Sequence, residues 1–355
     1  MRLRNPTRRD FLAAIGSAAV AFRLRAEPAG ARPVVSVVKI HGGKIEPAVE
    51  EAIELLGGMQ EITRGKERIL LKPNLVSAEP KATTKPPVIR ALARLMKAAH
   101  KDVSIGEGSA AAAPFNVHGS EVFRTTKVEL LNGLQQFVFD QLGYSELAKS
   151  LGLPLVNLHT GDMAEVKLSD AFVFDSLRIH RALAETDLLC SVPMMKTHVL
   201  AGVTLGMKNL IGAYPGTVYQ AVRGRMHDAA AQVEPSGTAA AVIDMVRANK
   251  LGLVVVDGST AMEGNGPWAG GLLPMDVIVA GTNPLATDMV AASLMGFDPR
   301  EIPTFTWANQ AGLRPDRLDD IEVRGEAVEK VRRRFLRPWI QPWSAVRASW
   351  ATREI

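Results

Sequence analysis

The polar residues with chemical potential gather where apolar runs end. Lys72 and Asn74 follow Arg68–Leu71, and Glu107 sits between Gly106 and Gly108 after Asp102–Ile105. Lys196 and His198 follow Asp187–Val192 across Pro193. Asp257 ends Leu251–Val256, and Glu263 lies in the loop running on to Pro267. Ammonium groups attract anions, while carboxylates and imidazoles move protons. Glu107, Lys196 and His198 are therefore the expected catalytic residues; Lys196, if desolvated, could serve as base or nucleophile. Lys208 and Asn209 lie between Gly206 and Gly212, where a ligand could approach the backbone closely. His227 follows Arg223-Gly-Arg-Met, a basic loop that could close over an anion. Lys72, Asn74, Lys208, Asn209 and His227 are expected to bind the substrate, a phosphorylated or carboxylated small molecule. No cofactor is named by these residues, but a divalent metal is open, with Asp257, Glu263 and Asp288 as its expected ligands. Hard carboxylate oxygens suit magnesium or manganese, and added imidazoles admit zinc or iron. Asp288 could equally cap a helix or pair with a lysine. His198 and His227 lack a spaced metal motif such as His-Glu-x-x-His.

Residues at the ends of apolar runs share a site only if those runs are parallel strands of one sheet. Strands are expected at Val34–Ile40, Arg68–Leu71, Asp102–Ile105, Leu153–Leu158, Asp187–Val192, Leu251–Val256 and Asp276–Ala280, and Ile321–Arg324 and Glu326–Arg334 close the fold. Helical spacing marks Pro47–Leu56, Pro87–Ala99, Tyr144–Leu151, Thr204–Leu210, Ser236–Ala248, Pro284–Met295 and Arg300–Ala311. Glu165–Ile179 alternates as an edge hairpin would. Continuous apolar strands between amphipathic helices predict an α/β fold. Its mostly parallel sheet should be covered by helices on both faces. Residues 32–334 form the expected single large domain, with a surface insertion at about 109–136 and a Trp/Arg-rich tail over 335–355.

Seven segments occur in order: Leu71-Lys-Pro-Asn-Leu75, Thr83-Thr-Lys-Pro86, Ile105-Gly-Glu-Gly-Ser109, Met195-Lys-Thr-His198, Gly206-Met-Lys-Asn-Leu-Ile-Gly212, Val256-Asp-Gly to Pro267, and Asn283-Pro-Leu-Ala-Thr-Asp288. Together they resemble the domain of unknown function 362 family over about residues 34–313. The resemblance implies the fold and the site, and no reaction. Many members carry ferredoxin-like iron–sulfur segments. Cys190 is the only cysteine here, which excludes a cysteine-ligated iron–sulfur cluster within this chain, and its apolar run marks a packing thiol.

The net charge of +5 over 355 residues is uneven. Residues 1–31 hold six basic and two acidic side chains, whereas residues 32–320 hold 28 basic and 31 acidic. The body is slightly acidic, so no nucleic-acid partner is expected. Thr7-Arg8-Arg9-Asp10-Phe11-Leu12, followed by a short apolar run and Ala29-Gly30-Ala31, resembles a twin-arginine signal peptide. An exported, periplasmic protein is expected, with the twin-arginine machinery as one partner. Trp339, Trp343 and Trp350 beside Arg332, Arg333, Arg334 and Arg337 make the tail a candidate membrane-surface or protein contact. Two readings of the body stay open: an enzyme acting on an anionic metabolite, and a non-catalytic ligand-binding or cofactor-handling protein.

Overall fold

Eleven strands form one mixed sheet in the computed structural model, which describes residues 32–119, 121–339 and 354. The expected export signal and residues 340–353 of the tail lie outside the described residues. In chain order the strands are β1 (Val34–Lys39), β2 (Arg68–Pro73), β3 (Asp102–Glu107), β4 (Leu155–Asn157), β5 (Leu188–Val192), β6 (Met194–His198), β7 (Gly202–Thr204), β8 (Leu251–Glu263), β9 (Gly271–Leu273), β10 (Val277–Gly281) and β11 (Glu322–Gly325). Their main order is β11-β1-β10-β8-β5-β2-β3-β4, with β6 beside β8 and β7, and β9 beside β8. The run β8-β5-β2-β3-β4 is parallel throughout. β10 runs antiparallel to both β1 and β8, so the sheet is mostly, not wholly, parallel.

The principal helices are α1 (Ile45–Glu54), α2 (Pro86–Ala98), α3 (Val128–Gln141), α4 (Tyr144–Leu151), α5 (Gly224–Ala230), α6 (Gly237–Arg247), α7 (Pro284–Leu294) and α8 (Pro303–Gln310). Two apolar cores result, one on each face of the sheet. Ile69 and Leu71 of β2 point into the layer of α1 to α4, and Leu70 points into the layer of α6 to α8. That is the period-two alternation of a strand covered on both faces. Each large aliphatic side chain so buried contributes roughly 1.5–3 kcal/mol of transfer free energy. The expected hairpin is present as Met163–Lys167 paired with Ser176–His180.

Several segments depart from expectation. Thr204–Leu210 is not a helix: Thr204 ends strand β7, and a 3-10 turn covers Lys208–Ala213. The expected Leu251–Val256 strand runs on to Glu263, because its second half finds partners in β6 and β9. Asp257 is therefore inside a strand rather than at its end. The helix expected at Arg300 starts at Pro303, which fits the first helical position. Residues 109–136 are not a surface excursion. Ser109, Asn116 and Thr125 are buried, and α3 packs Leu131 and Leu134 inward. No helix among the described residues is long and apolar enough to cross a membrane.

Candidate anion site

β2, β3 and β5 are parallel neighbours, so their carboxyl ends open on one side of the sheet. Lys72 shares a strand face with Leu70, which aims its side chain at the turn from Gly206 to Gly212. There Lys72 meets Glu107 in an ion pair of 2.8 Å, with both side chains almost fully buried. Glu107 Oε1 also accepts from Gly108 N (2.8 Å), and Oε2 accepts from Leu75 N (2.9 Å). Its acceptor sites are thus taken by fixed donors, which makes it a countercharge rather than a free proton shuttle. Lys72 Nζ donates further to Pro73 O and Asn209 Oδ1. Asn209 is similarly committed. Its Oδ1 also accepts from Asn74 Nδ2, and its own Nδ2 reaches Lys72 O and Ser191 Oγ. A Cβ at Gly212 would collide with Glu107 Oε1 and with Lys72 Nζ, so the turn approaches the pair only because that residue is glycine.

Beyond this pair lies a cavity of about 640 Å3, including its open mouth. All eight residues expected to be catalytic or substrate-binding line it: Lys72, Asn74, Glu107, Lys196, His198, Lys208, Asn209 and His227. Lys196 and His198 share one face of β6 by the same period-two rule. Lys196 Nζ donates to Ala82 O (2.6 Å) and Pro267 O (3.2 Å) and has no carboxylate partner. Burial, with the charges of Lys208 and Lys72, brings it down to about 7. Lys208 is also held at about 7, by burial and then by Arg223 and Lys72. His198 Nδ1 accepts from Leu200 N (3.0 Å), which places the proton of the neutral ring on Nε2. Burial and the adjacent lysines push His198 well below its usual range, so it is neutral near pH 7. His227 falls to about 3 for the same reasons, burial first.

Arg223 also lines the cavity, where the sequence marked it only as part of a basic loop that could close over an anion. Its guanidinium is fixed by the carbonyls of Gly108, Ser109, Ile211 and Gly212. The backbone around it is strained: Gln220, Val222 and Arg223 all have positive φ (66°, 52° and 58°). Strain of this kind costs roughly 1–3 kcal/mol per residue and concentrates at functional sites. His159 was missed altogether. It follows β4 and would have been found by the strand-end rule that found the others. It supports the loops from behind, bonding Ser109 O through Nε2 and accepting Gly216 N at Nδ1.

The three carboxylates expected to hold a metal stay apart. Asp257 accepts from Lys85 N at the start of α2 and from Ser259 N and Oγ. Glu263 accepts from Leu336 N, which fastens the tail. Asp288 accepts from Gly206 N (2.7 Å) and Met207 N (2.9 Å), supporting the Lys208 turn from below. None of the three lines the cavity. Among the described residues no three His, Cys, Asp or Glu side chains converge as metal ligands. Asp288 satisfies two buried backbone N–H groups that would otherwise be unpaired, Asp257 a half-buried one and Glu263 an exposed one.

The site segments fall within a family profile described as Domain of unknown function (DUF362), which matches residues 69–293. The chain belongs to this family. The DUF362 region contains every candidate site residue and ends within α7. A curated relative, the thylakoid-associated protein sll1697 of Synechocystis sp., is 26% identical over 276 residues, covering 77% of each chain. Among solved structures, the lactate racemase apoprotein of Thermoanaerobacterium thermosaccharolyticum matches with a TM-score of 0.44 at 14% identity. That match covers 75% of this chain and spans 57% of the racemase chain.

Proposed function

We propose that this protein binds a small carboxylated or phosphorylated molecule in the cavity and catalyses proton transfer on it. One observation carries the reading: four buried cationic side chains, Lys72, Lys196, Lys208 and Arg223, line the cavity, and Glu107 is their one carboxylate there. Desolvated cations in such excess are costly unless an anion completes the set. Asn74 Oδ1 and Thr204 Oγ1 are buried there without partners among the described residues, and a polar ligand would supply them.

The roles follow from the hydrogen bonds. Neutral Lys196 directs its two N–H bonds at Ala82 O and Pro267 O, which leaves its lone pair for a proton. Its lowered pKa suits a general base at neutral pH. His198 presents Nε2–H as a neutral donor to a substrate oxygen that gains negative charge. Glu107 fixes Lys72 and is a positioning residue. Melting temperatures with and without inorganic phosphate, lactate and pyruvate test the binding. Incubation of lactate and pyruvate in heavy water, read by NMR, tests the proton transfer. Exchange at carbon that disappears in Lys196→Met supports the enzyme. Anion-induced stabilisation without exchange favours a binding protein that performs no turnover.

Export through the twin-arginine pathway belongs to the same proposal. It is supported by the Arg8-Arg9 pattern and by the thylakoid association of the Synechocystis relative. Unchanged export after Arg8→Lys and Arg9→Lys would remove it. The tail, with Leu336 and Trp339 exposed beside its arginines, is proposed as a membrane-surface or protein contact.

A further inference from the structure

The three lysines of the cavity are not equivalent. Lys72 is bound to Glu107, and Lys196 donates to two carbonyls. Lys208 lines the same cavity, yet its amine makes no hydrogen bond to any described residue. It also sits at the centre of the charged group. Arg223 and Lys72 act on it, and it acts in turn on Lys196, His198 and His227. Among the described residues Glu107 is the only carboxylate lining this space, and it is tied to Lys72. Cationic neighbours and burial favour the uncharged amine, whose lone pair is not occupied by any donor among the described residues. An uncharged lysine in a cavity that gathers anions is placed to attack a carbonyl carbon.

We propose that Lys208 forms an imine with aldehydes or ketones that carry a carboxylate or phosphate, so that small oxo-anions are the substrate class of this site. This rests on the anion-site reading above. Lys208 Nζ donates its electron pair to the carbonyl carbon while the C=O π pair moves to oxygen. The nitrogen loses its protons to that oxygen, and water leaves as the C=N bond forms. Amine and carbonyl compound give imine and one water, with no change of oxidation state. His198 Nε2–H can hydrogen-bond the departing oxygen. Uptake of one proton from solvent gives a protonated imine, whose new positive charge faces the bound anion and acidifies the neighbouring C–H for the Lys196 lone pair.

Reductive trapping tests the proposal. The full chain is incubated with pyruvate or glyoxylate and sodium cyanoborohydride, and the adduct is located by peptide mass spectrometry. One adduct at Lys208 is expected, forming at least about tenfold more than with acetone, which lacks the charge. Lactate, an anion without a carbonyl, should compete. Lys208→Arg offers no primary amine and should lose the adduct. An adduct confined to Lys196 or to exposed lysines overturns the assignment. Absence of any adduct while lactate or phosphate still raises the melting temperature overturns the imine and leaves the anion site standing. Absence of both overturns both.

Discussion

Replacing Lys208 by methionine should stabilise the ligand-free protein while removing its response to anions. The amine is held at about 7 in the folded chain against an ordinary 10.5, by burial first and then by Arg223 and Lys72. Between those values the unfolded chain binds the extra proton, so wild-type stability rises with pH across that window. At about 1.4 kcal/mol per pH unit, the retained lysine costs at most roughly 5 kcal/mol below pH 7. Water in the open cavity screens part of this, and ~2–5 kcal/mol is the expected gain for Lys208→Met at pH 6. Methionine fills similar volume without charge, so little packing is lost. Relief of repulsion on Lys196 acts in the same direction, since Lys208 depresses it. The assay is urea unfolding of both proteins from pH 6 to 10, with and without phosphate. The difference should be largest at pH 6 and shrink steadily toward pH 10, and phosphate should stabilise only the wild type. A variant that is less stable at pH 6, or a difference that does not vary with pH, would refute the picture of an unpaired buried amine.

Other substitutions probe the frame around it. Gly212→Ala should cost roughly 3–5 kcal/mol in urea unfolding, because the new Cβ displaces one member of the buried Lys72–Glu107 pair. Asp288 is raised to about 7, burial outweighing its two N–H bonds. Its folded value lies above its unfolded one, so its stability contribution is complete below about pH 4 and is lost as pH rises to about 7. Asp288→Asn should remove that slope, roughly 4 kcal/mol in all, from the stability profile between pH 4 and 7. Arg223→Lys should destabilise by roughly 2–4 kcal/mol, since one ammonium cannot replace a fork that serves four carbonyls. Truncation after Arg334 removes the Leu336 N–H from Glu263, the Phe335 N–H from Met295 O and the buried Phe335 side chain; a fall of several degrees in melting temperature is expected.

Local sequence was enough to place most of the sheet's strands and helices, because period and burial are written residue by residue; the short strands β6, β7 and β9 exist only through their partners and were not legible. It was also enough to gather the site. Lys72, Glu107, Lys196 and His198 sit at or just beyond the ends of apolar runs, and parallel strands bring such ends together for purely geometric reasons. What the sequence could not decide was which polar groups remain available. Asp257, Glu263 and Asp288 look like ligands in a linear reading, but backbone N–H groups from Lys85, Leu336, Gly206 and Met207 claim them first. Glu107 and Asn209 reach the cavity already saturated, while Lys208 arrives with its amine unclaimed. Residue type and spacing set the candidates. Only the packed chain assigned each donor its acceptor, because hydrogen-bond partners more than a hundred residues apart are matched by folding and by nothing local.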